Sequence, residues 1–141
     1  MQHPVILLID NDDGAQSIYN ALKAVTKATA KPDGNAPFYP VTHNLYIVPT
    51  PLNGNPKTMI EDCFDASVKN TKVDGKSFNP SSDALDGKTK YGKYVFAEQV
   101  VKKNQGNINF QGFKPLLERI DAVLIRHNNI NIVSGALHAP S

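Results

Sequence analysis

Apolar positions along this chain fall into short runs and helical stripes that follow one another. Residues 4–10, PVILLID, form a continuous apolar run with β-branched content. Such a run predicts a strand buried on both faces, in a parallel or mixed sheet covered by helices. In residues 14–30, Ile18, Leu22 and Val25 are spaced by four and three, which predicts an amphipathic helix. Strand, tight turn and helix in that order open an α/β unit. Residues 31–43 carry three prolines and read as a loop. Residues 44–49, NLYIVP, predict a second short strand, stopped by Pro49 and Pro51.

The rest of the chain is less regular. Thr58 followed three residues later by Glu61 is a capping-box pattern, so residues 58–65 read as a short helix. Asp-Gly between the short alternating runs of 71–78 is a hairpin signal. Residues 79–92 are polar and read as a surface loop. Residues 93–103 predict a helix with Phe96 and Val100 on one face and Val101 beside them. The strongest helical pattern is 114–128, with Leu116, Leu117, Ile120, Val123 and Leu124, and Pro115 tolerated in its first turn. Residues 129–141 have no clear period and read as a tail, flexible or adding a strand. The expected architecture is α/β with a small, mainly parallel sheet: one domain over 1–128 and a tail over 129–141.

Composition narrows this only a little. The length, 141 residues, suits one hydrophobic core, and 40% hydrophobic with 20% charged residues is ordinary for a globular protein. A net charge of +2 neither demands nor excludes nucleic acid. A lone cysteine, Cys63, permits no internal disulfide and fits a reducing, cytoplasmic setting. No apolar run approaches the ~20 residues that span a bilayer, so no membrane partner is expected. The opening MQHPVILLID lacks the basic region and cleavage site of a signal peptide. Its first strand begins almost at once, which is compatible with a domain whose upstream partner lies outside this sequence, and equally with a small complete protein.

The chemistry concentrates where the first strand ends. Asp10, Asp12 and Asp13 crowd four positions ahead of Gly14. A strand delivers its last side chains to the carboxyl edge of the sheet, where open α/β sheets bind ligands. If extended geometry persists through Asn11, Asp10 and Asp12 point the same way. Carboxylates that close repel each other unless a proton or a cation intervenes. Mg²⁺, or Mn²⁺ in its place, is the natural cation, because it takes hard oxygen ligands and often only one or two carboxylates. Asp13 with Gln16 is itself a capping-box pattern and reads as a helix cap. Glu61 is open between a capping role and a third carboxylate. A receiver-like signalling domain also has acids here, but it needs a phospho-acceptor aspartate after a later strand, and NLYIVPTP ends in none. A haloacid-dehalogenase-type phosphatase wants threonine or a similar residue where this chain has Gly14.

The ordered set ILLIDNDDGA, NLYIVPTP, IEDCFD, KYVFAEQVV and INFQGFKPLLERI, over residues 4–125, resembles the Toprim-like C-terminal region of some retron-type reverse transcriptases. The IED element is also similar to the Glu-containing segment that follows Asp-x-Asp in the Toprim domains of overcoming-lysogenisation-defect nucleases. The resemblance implies a Toprim-like or Rossmann-like three-layer fold and metal-dependent nucleic-acid processing. It implies that Asp10 and Asp12 are the metal-binding, catalytic Asp-x-Asp, that Glu61 is the later catalytic acid, and that Lys93 matches a basic residue able to contact nucleic acid. Lys93 also reads as an ordinary solvated lysine. The parent of such a region would be an RNA-directed DNA polymerase with a role in antiviral defence, and partners would be nucleic acid, the upstream reverse-transcriptase domain and an effector protein. Two departures stand out. The upstream glutamate of the Toprim pattern has no counterpart, so the active site is expected to be incomplete in this sequence. The Tyr-x-Asp-Asp turn of a polymerase is absent, so the chain is not itself one. A catalytically inactive docking module for nucleic acid or an effector protein is the alternative.

Other candidates carry less. His3, His43, His127 and His138 show no ligand pair at helical spacing, so no zinc site is expected. Cys63 beside Phe64 reads as packing. Lysines 69, 72, 76, 88, 90 and 93, with Tyr91 and Tyr94 among them, could form a nucleic-acid surface. Asp65, Asp74, Asp83 and Asp86 dilute it toward a mixed solvated face.

Overall fold

The computed structural model describes residues 3–29, 31–81 and 87–137. In chain order the elements are β1 (Val5–Ile9), α1 (Ala15–Thr26), β2 (Tyr39–Pro40), β3 (Leu45–Pro49), a 3-10 turn (Ile60–Cys63), α2 (Ala66–Lys69), β4 (Ser77–Phe78), β5 (Lys90–Tyr91), and α3 (Lys93–Val95). α3 continues through a π-helical stretch (Phe96–Val101) into α4 (Lys102–Asn104), and α5 (Lys114–Leu137) follows two further 3-10 turns. The fold is mixed α/β. It divides into two compact units, Met1–Ile60 with Lys114–Ser141, and Glu61–Phe113.

The first unit is built on a three-stranded sheet of order β1-β3-β2, with β1 parallel and β2 antiparallel to β3. Leu7 lies opposite Ile47 and Leu8 opposite Val48. Successive side chains of β3 face opposite ways. Ile47 joins Ile9, Ala15, Tyr19 and Leu22 in one core, so α1 covers that face. Tyr46 turns to the other face, where its ring meets His127 of α5 edge-on at 5.8 Å and its hydroxyl lies 3.1 Å from His127 Nδ1. His127 is therefore a packing residue of α5. Arg119, also on α5, donates to the carbonyls of Pro49 at 3.0 Å and Ala36 at 3.2 Å, and burial holds its guanidinium below the usual range.

Three features depart from the sequence reading. β1 was expected to be buried on both faces. Among the described residues it is the sheet's edge strand, and Val5 and Leu7 stay 53% and 47% exposed. The buried stripe of α1 is Ala15, Tyr19 and Leu22, with Ile18 packed against the same core, and of the expected face only Val25 stays out, 62% exposed. Tyrosine at position 19 hides the true face, because its apolar body buries while its hydroxyl keeps a polar partner. Lastly, residues 129–137 are neither a strand nor irregular, since α5 runs through to Leu137. A nucleated helix extends at little cost per residue even where the pattern fades. Residues 138–141 of the expected tail, including His138, lie outside the described residues.

The second unit packs an aromatic core. Tyr91, Phe96 and Val100 are buried, with Phe64, Val68, Val73 and Phe78 against them. Phe78 stacks on Phe96 at 4.3 Å, and Phe64 meets Phe96 and Phe113 edge-on at 5.5 and 4.9 Å. The Asp-Gly signal is realised as a tight turn. Val73 and Lys76 form an antiparallel bridge, with Asp74 and Gly75 in the left-handed region at φ 51° and 75°. β4 then pairs in parallel with β5. The expected helix over 93–103 is present, with Phe96 and Val100 inward as the spacing implied.

Burial gives this fold an alkaline limit. Burial first, and then the neighbouring Tyr39, push the Tyr19 phenol up to about 12. A raised folded-state value favours the neutral form, so the stability from Tyr19 is fully present below pH 10. It is lost as pH rises from there through about 12. Urea unfolding midpoints at intervals from pH 8 to pH 12 should fall over that window, and Tyr19→Phe should flatten the fall. An equally steep fall in the variant would mean that Tyr19 is not its source.

Candidate metal centre

The end of β1 is held open by a buried asparagine. Asn11 pairs with Thr58 as an isolated antiparallel bridge, so extended geometry does persist through it. Its side chain turns inward. Asn11 Nδ2 donates to the carbonyls of Gly34 at 2.9 Å and Thr50 at 3.1 Å, and its Oδ1 accepts from the Tyr19 hydroxyl at 3.0 Å. Its backbone N–H donates to Thr58 O at 2.8 Å and lies 3.0 Å from Thr50 Oγ1. Gly34, at φ 80°, leaves the space this needs, because a Cβ there would lie 2.2 Å from Asn11 Oδ1. Little in the sequence marks Asn11 for this role. Its one available signal was the two-residue period, which turns it away from the two acids it separates.

Strand alternation places Asp10 and Asp12 on the side opposite the Asn11 side chain. Each carboxylate is fixed by a backbone amide. Asp10 Oδ1 accepts from the Ile60 N–H at 2.8 Å, and Asp12 Oδ1 accepts from the Gly14 N–H at 2.8 Å. Gly14 is tight here, since a Cβ on it would stand 3.1 Å from Asp12 Oδ1. The two residues are half-buried. An amide donor holds a carboxylate in one orientation.

Two capping expectations are corrected by these bonds. Asp13 does not cap α1. Its carboxylate pairs with Lys57 at 2.6 Å on the surface, and the Gln16 side chain accepts from Lys31 at 2.7 Å. Thr58 does not cap the turn that follows it, because its hydroxyl is engaged with Thr50 Oγ1 at 2.9 Å. Asp10, fifty positions earlier, supplies that acceptor at Ile60. The expected short helix over 58–65 is accordingly a single 3-10 turn, Ile60–Cys63.

Glu61 and Lys93 belong to the second unit, and the structure brings them together. Glu61 is buried, and Lys93 Nζ lies 3.1 Å from its Oε2. Lys93 is thus not merely solvated. Cys63, next to this pair, is half-buried. Burial first, then the charges of Asp62 and Glu61, push its thiol up, which disfavours a thiolate nucleophile.

No family model matches the sequence, and no solved structure matches the chain. Among the described residues, no three His, Cys, Asp or Glu side chains gather as a metal cage. What the first unit offers is a pair of oriented carboxylates, which is the donor set Mg²⁺ takes when water completes its shell. Among the described residues, no helix is long and apolar enough to cross a membrane.

The lysines singled out by sequence separate into partnered and unpartnered. Lys69 pairs with Asp62 at 2.9 Å, Lys76 donates to Gly87 O at 2.6 Å, and Lys90 donates to Ser77 Oγ at 3.0 Å. Lys72 has no ion pair among the described residues. Asp83 and Asp86 lie outside the described residues.

Proposed function

We propose that this chain is a Toprim-like, Mg²⁺-dependent nucleic-acid-processing domain of the kind attached to retron-type reverse transcriptases, with Asp10 and Asp12 as its metal ligands. The observation that carries the reading is the pair of carboxylates flanking an extended Asn11 at the carboxyl end of β1, each oriented by one backbone amide. The ordered sequence elements over 4–125 support the same assignment. A bound Mg²⁺ would supply charge stabilisation to the oxygens of a phosphodiester. The chain's own contribution is orientation. The Ile60 and Gly14 amides fix the carboxylates, and Gly14 permits close approach of backbone to ligand. The resemblance assigns Glu61, in the second unit, as the later acid, and Lys93 pairs with it there at 3.1 Å. The three-layer Toprim-like arrangement, the nucleic-acid substrate, a reverse-transcriptase parent and an effector partner all belong to this proposal.

A docking module without catalysis is the second reading. It is favoured by one observation, the ion pair that engages Glu61 with Lys93. Calorimetric titration of Mg²⁺ and Mn²⁺ into the full chain, with and without a single-stranded oligonucleotide, separates the two. The catalytic reading expects one saturable site that Asp10→Asn and Asp12→Asn each weaken at least about tenfold, the scale of losing one charged ligand. Oligonucleotide binding with no metal site in either condition would leave the docking reading standing alone.

A further inference from the structure

The second unit carries a polar groove that the proposed metal site does not use. A cavity of about 710 Å³ is lined by Lys72, Asp74, Gln99, Lys103 and Asn104, together with Thr71 and Val95. Thr71 and Asn104 also line an adjoining cavity of about 210 Å³ that adds Ser67 and Asn107. Val95, Gln99 and Lys103 follow one another at intervals of four along the α3–α4 helix, so a single row of that helix faces the groove. The π-helical stretch lies in the middle of this row. There Asn104 Nδ2 donates to Val100 O at 2.7 Å, which satisfies a carbonyl at the end of the π segment. Such π segments occur frequently at functional sites.

The charge in the groove is unbalanced. Lys72 and Lys103 make no ion pair among the described residues, whereas Lys69, Lys93 and Lys102 nearby in sequence all do. One carboxylate, Asp74, shares the lining with the two ammonium groups. Between them stand amides and hydroxyls, which can both donate and accept. An acidic peptide would use the lysines and leave most of this lining idle. A nucleic-acid strand uses both kinds of group, with phosphates on the lysines and sugar and base edges on the amides. Tyr94, which precedes Val95 in sequence and does not line the groove, is 80% exposed, an aromatic face of the type on which bases stack.

We propose that this groove binds the sugar–phosphate backbone of a single nucleic-acid strand, with Lys72 and Lys103 as its phosphate contacts. The inference rests on the nucleic-acid reading above and adds the surface that grips the strand.

The test is fluorescence anisotropy of the full chain with labelled DNA and RNA strands of about 12 nucleotides, a length within the usual site size. Titrations are run across salt concentrations for the wild type, the Lys72→Ala/Lys103→Ala double variant and Asp12→Asn. The double variant should weaken binding by about tenfold at low salt and reduce the salt slope by about 1.4, the share of two phosphate contacts on a single strand. Its calorimetric Mn²⁺ binding should match the wild type. Asp12→Asn should lose Mn²⁺ binding while the double variant keeps it, so failure at the metal site and failure at the groove are read separately. An unchanged affinity and slope in the double variant, or no strand binding by the wild type, would overturn the proposal. So would a loss confined to a poly-glutamate peptide run in parallel.

Discussion

Gly34→Ala should be among the most damaging single substitutions in the chain, lowering stability by about 3 kcal/mol. Two costs combine. The backbone sits at φ 80°, a conformation that residues with a side chain rarely adopt, and the new Cβ would lie 2.2 Å from Oδ1 and 2.6 Å from Nδ2 of Asn11. Asn11→Ala should cost about 2–3 kcal/mol by another route. It removes the partners of the Tyr19 hydroxyl and the Gly34 carbonyl, and one of two at the Thr50 carbonyl, in a buried site. The substitutions share one contact, so they should not add. In an Asn11→Ala background, Gly34→Ala should cost only the backbone strain, about 1 kcal/mol. Urea unfolding of the four proteins measures this cycle. Full additivity would mean that the Asn11 side chain does not fill the space beside Gly34.

The second large effect is expected at the Glu61–Lys93 pair. Lys93→Met leaves a buried carboxylate without its cation and should cost about 2 kcal/mol. The figure sits below that for a fully buried pair because the lysine side chain is 41% exposed. Combining Glu61→Gln with Lys93→Met should recover most of the loss, since a neutral amide tolerates the apolar neighbour better. Thermal unfolding of both single variants and the double variant gives the coupling. Independent effects would show that the two groups do not share a bond worth counting.

Local signals in the sequence were reliable where one strong rule acted alone. The runs VILLI and LYIVP became the paired strands β1 and β3, Asp-Gly at 74–75 became a left-handed turn, and Phe96 and Val100 turned inward. They misled where a partner distant in sequence took over a local role. Thr58 looked like a cap but hydrogen-bonds Thr50, and Asp10 reaches across fifty positions to Ile60. Asp13 looked like a cap for α1 and instead pairs with Lys57. A capping box is a short-range pattern, and a loop that brings a charged or hydroxyl group from elsewhere competes for the same atoms. The acids of the candidate site were visible because they were crowded. The residue that spaces them, Asn11, was not, because its role depends on Gly34, Thr50 and Tyr19 meeting around it in the folded chain.

In the proposed site Asp10 and Asp12 jointly hold a divalent cation. The Ile60 and Gly14 amides donate to these two carboxylates, so they report on them directly. Titrating Mg²⁺ into the isotopically labelled protein and following amide resonances by NMR should move both signals along one saturation curve. Asp12→Asn should abolish the movement at Gly14 and weaken it at Ile60. If both amides stay still while Mg²⁺ reaches millimolar levels with a single-stranded oligonucleotide present, the carboxylates are structural acceptors only and the metal-dependent reading is wrong.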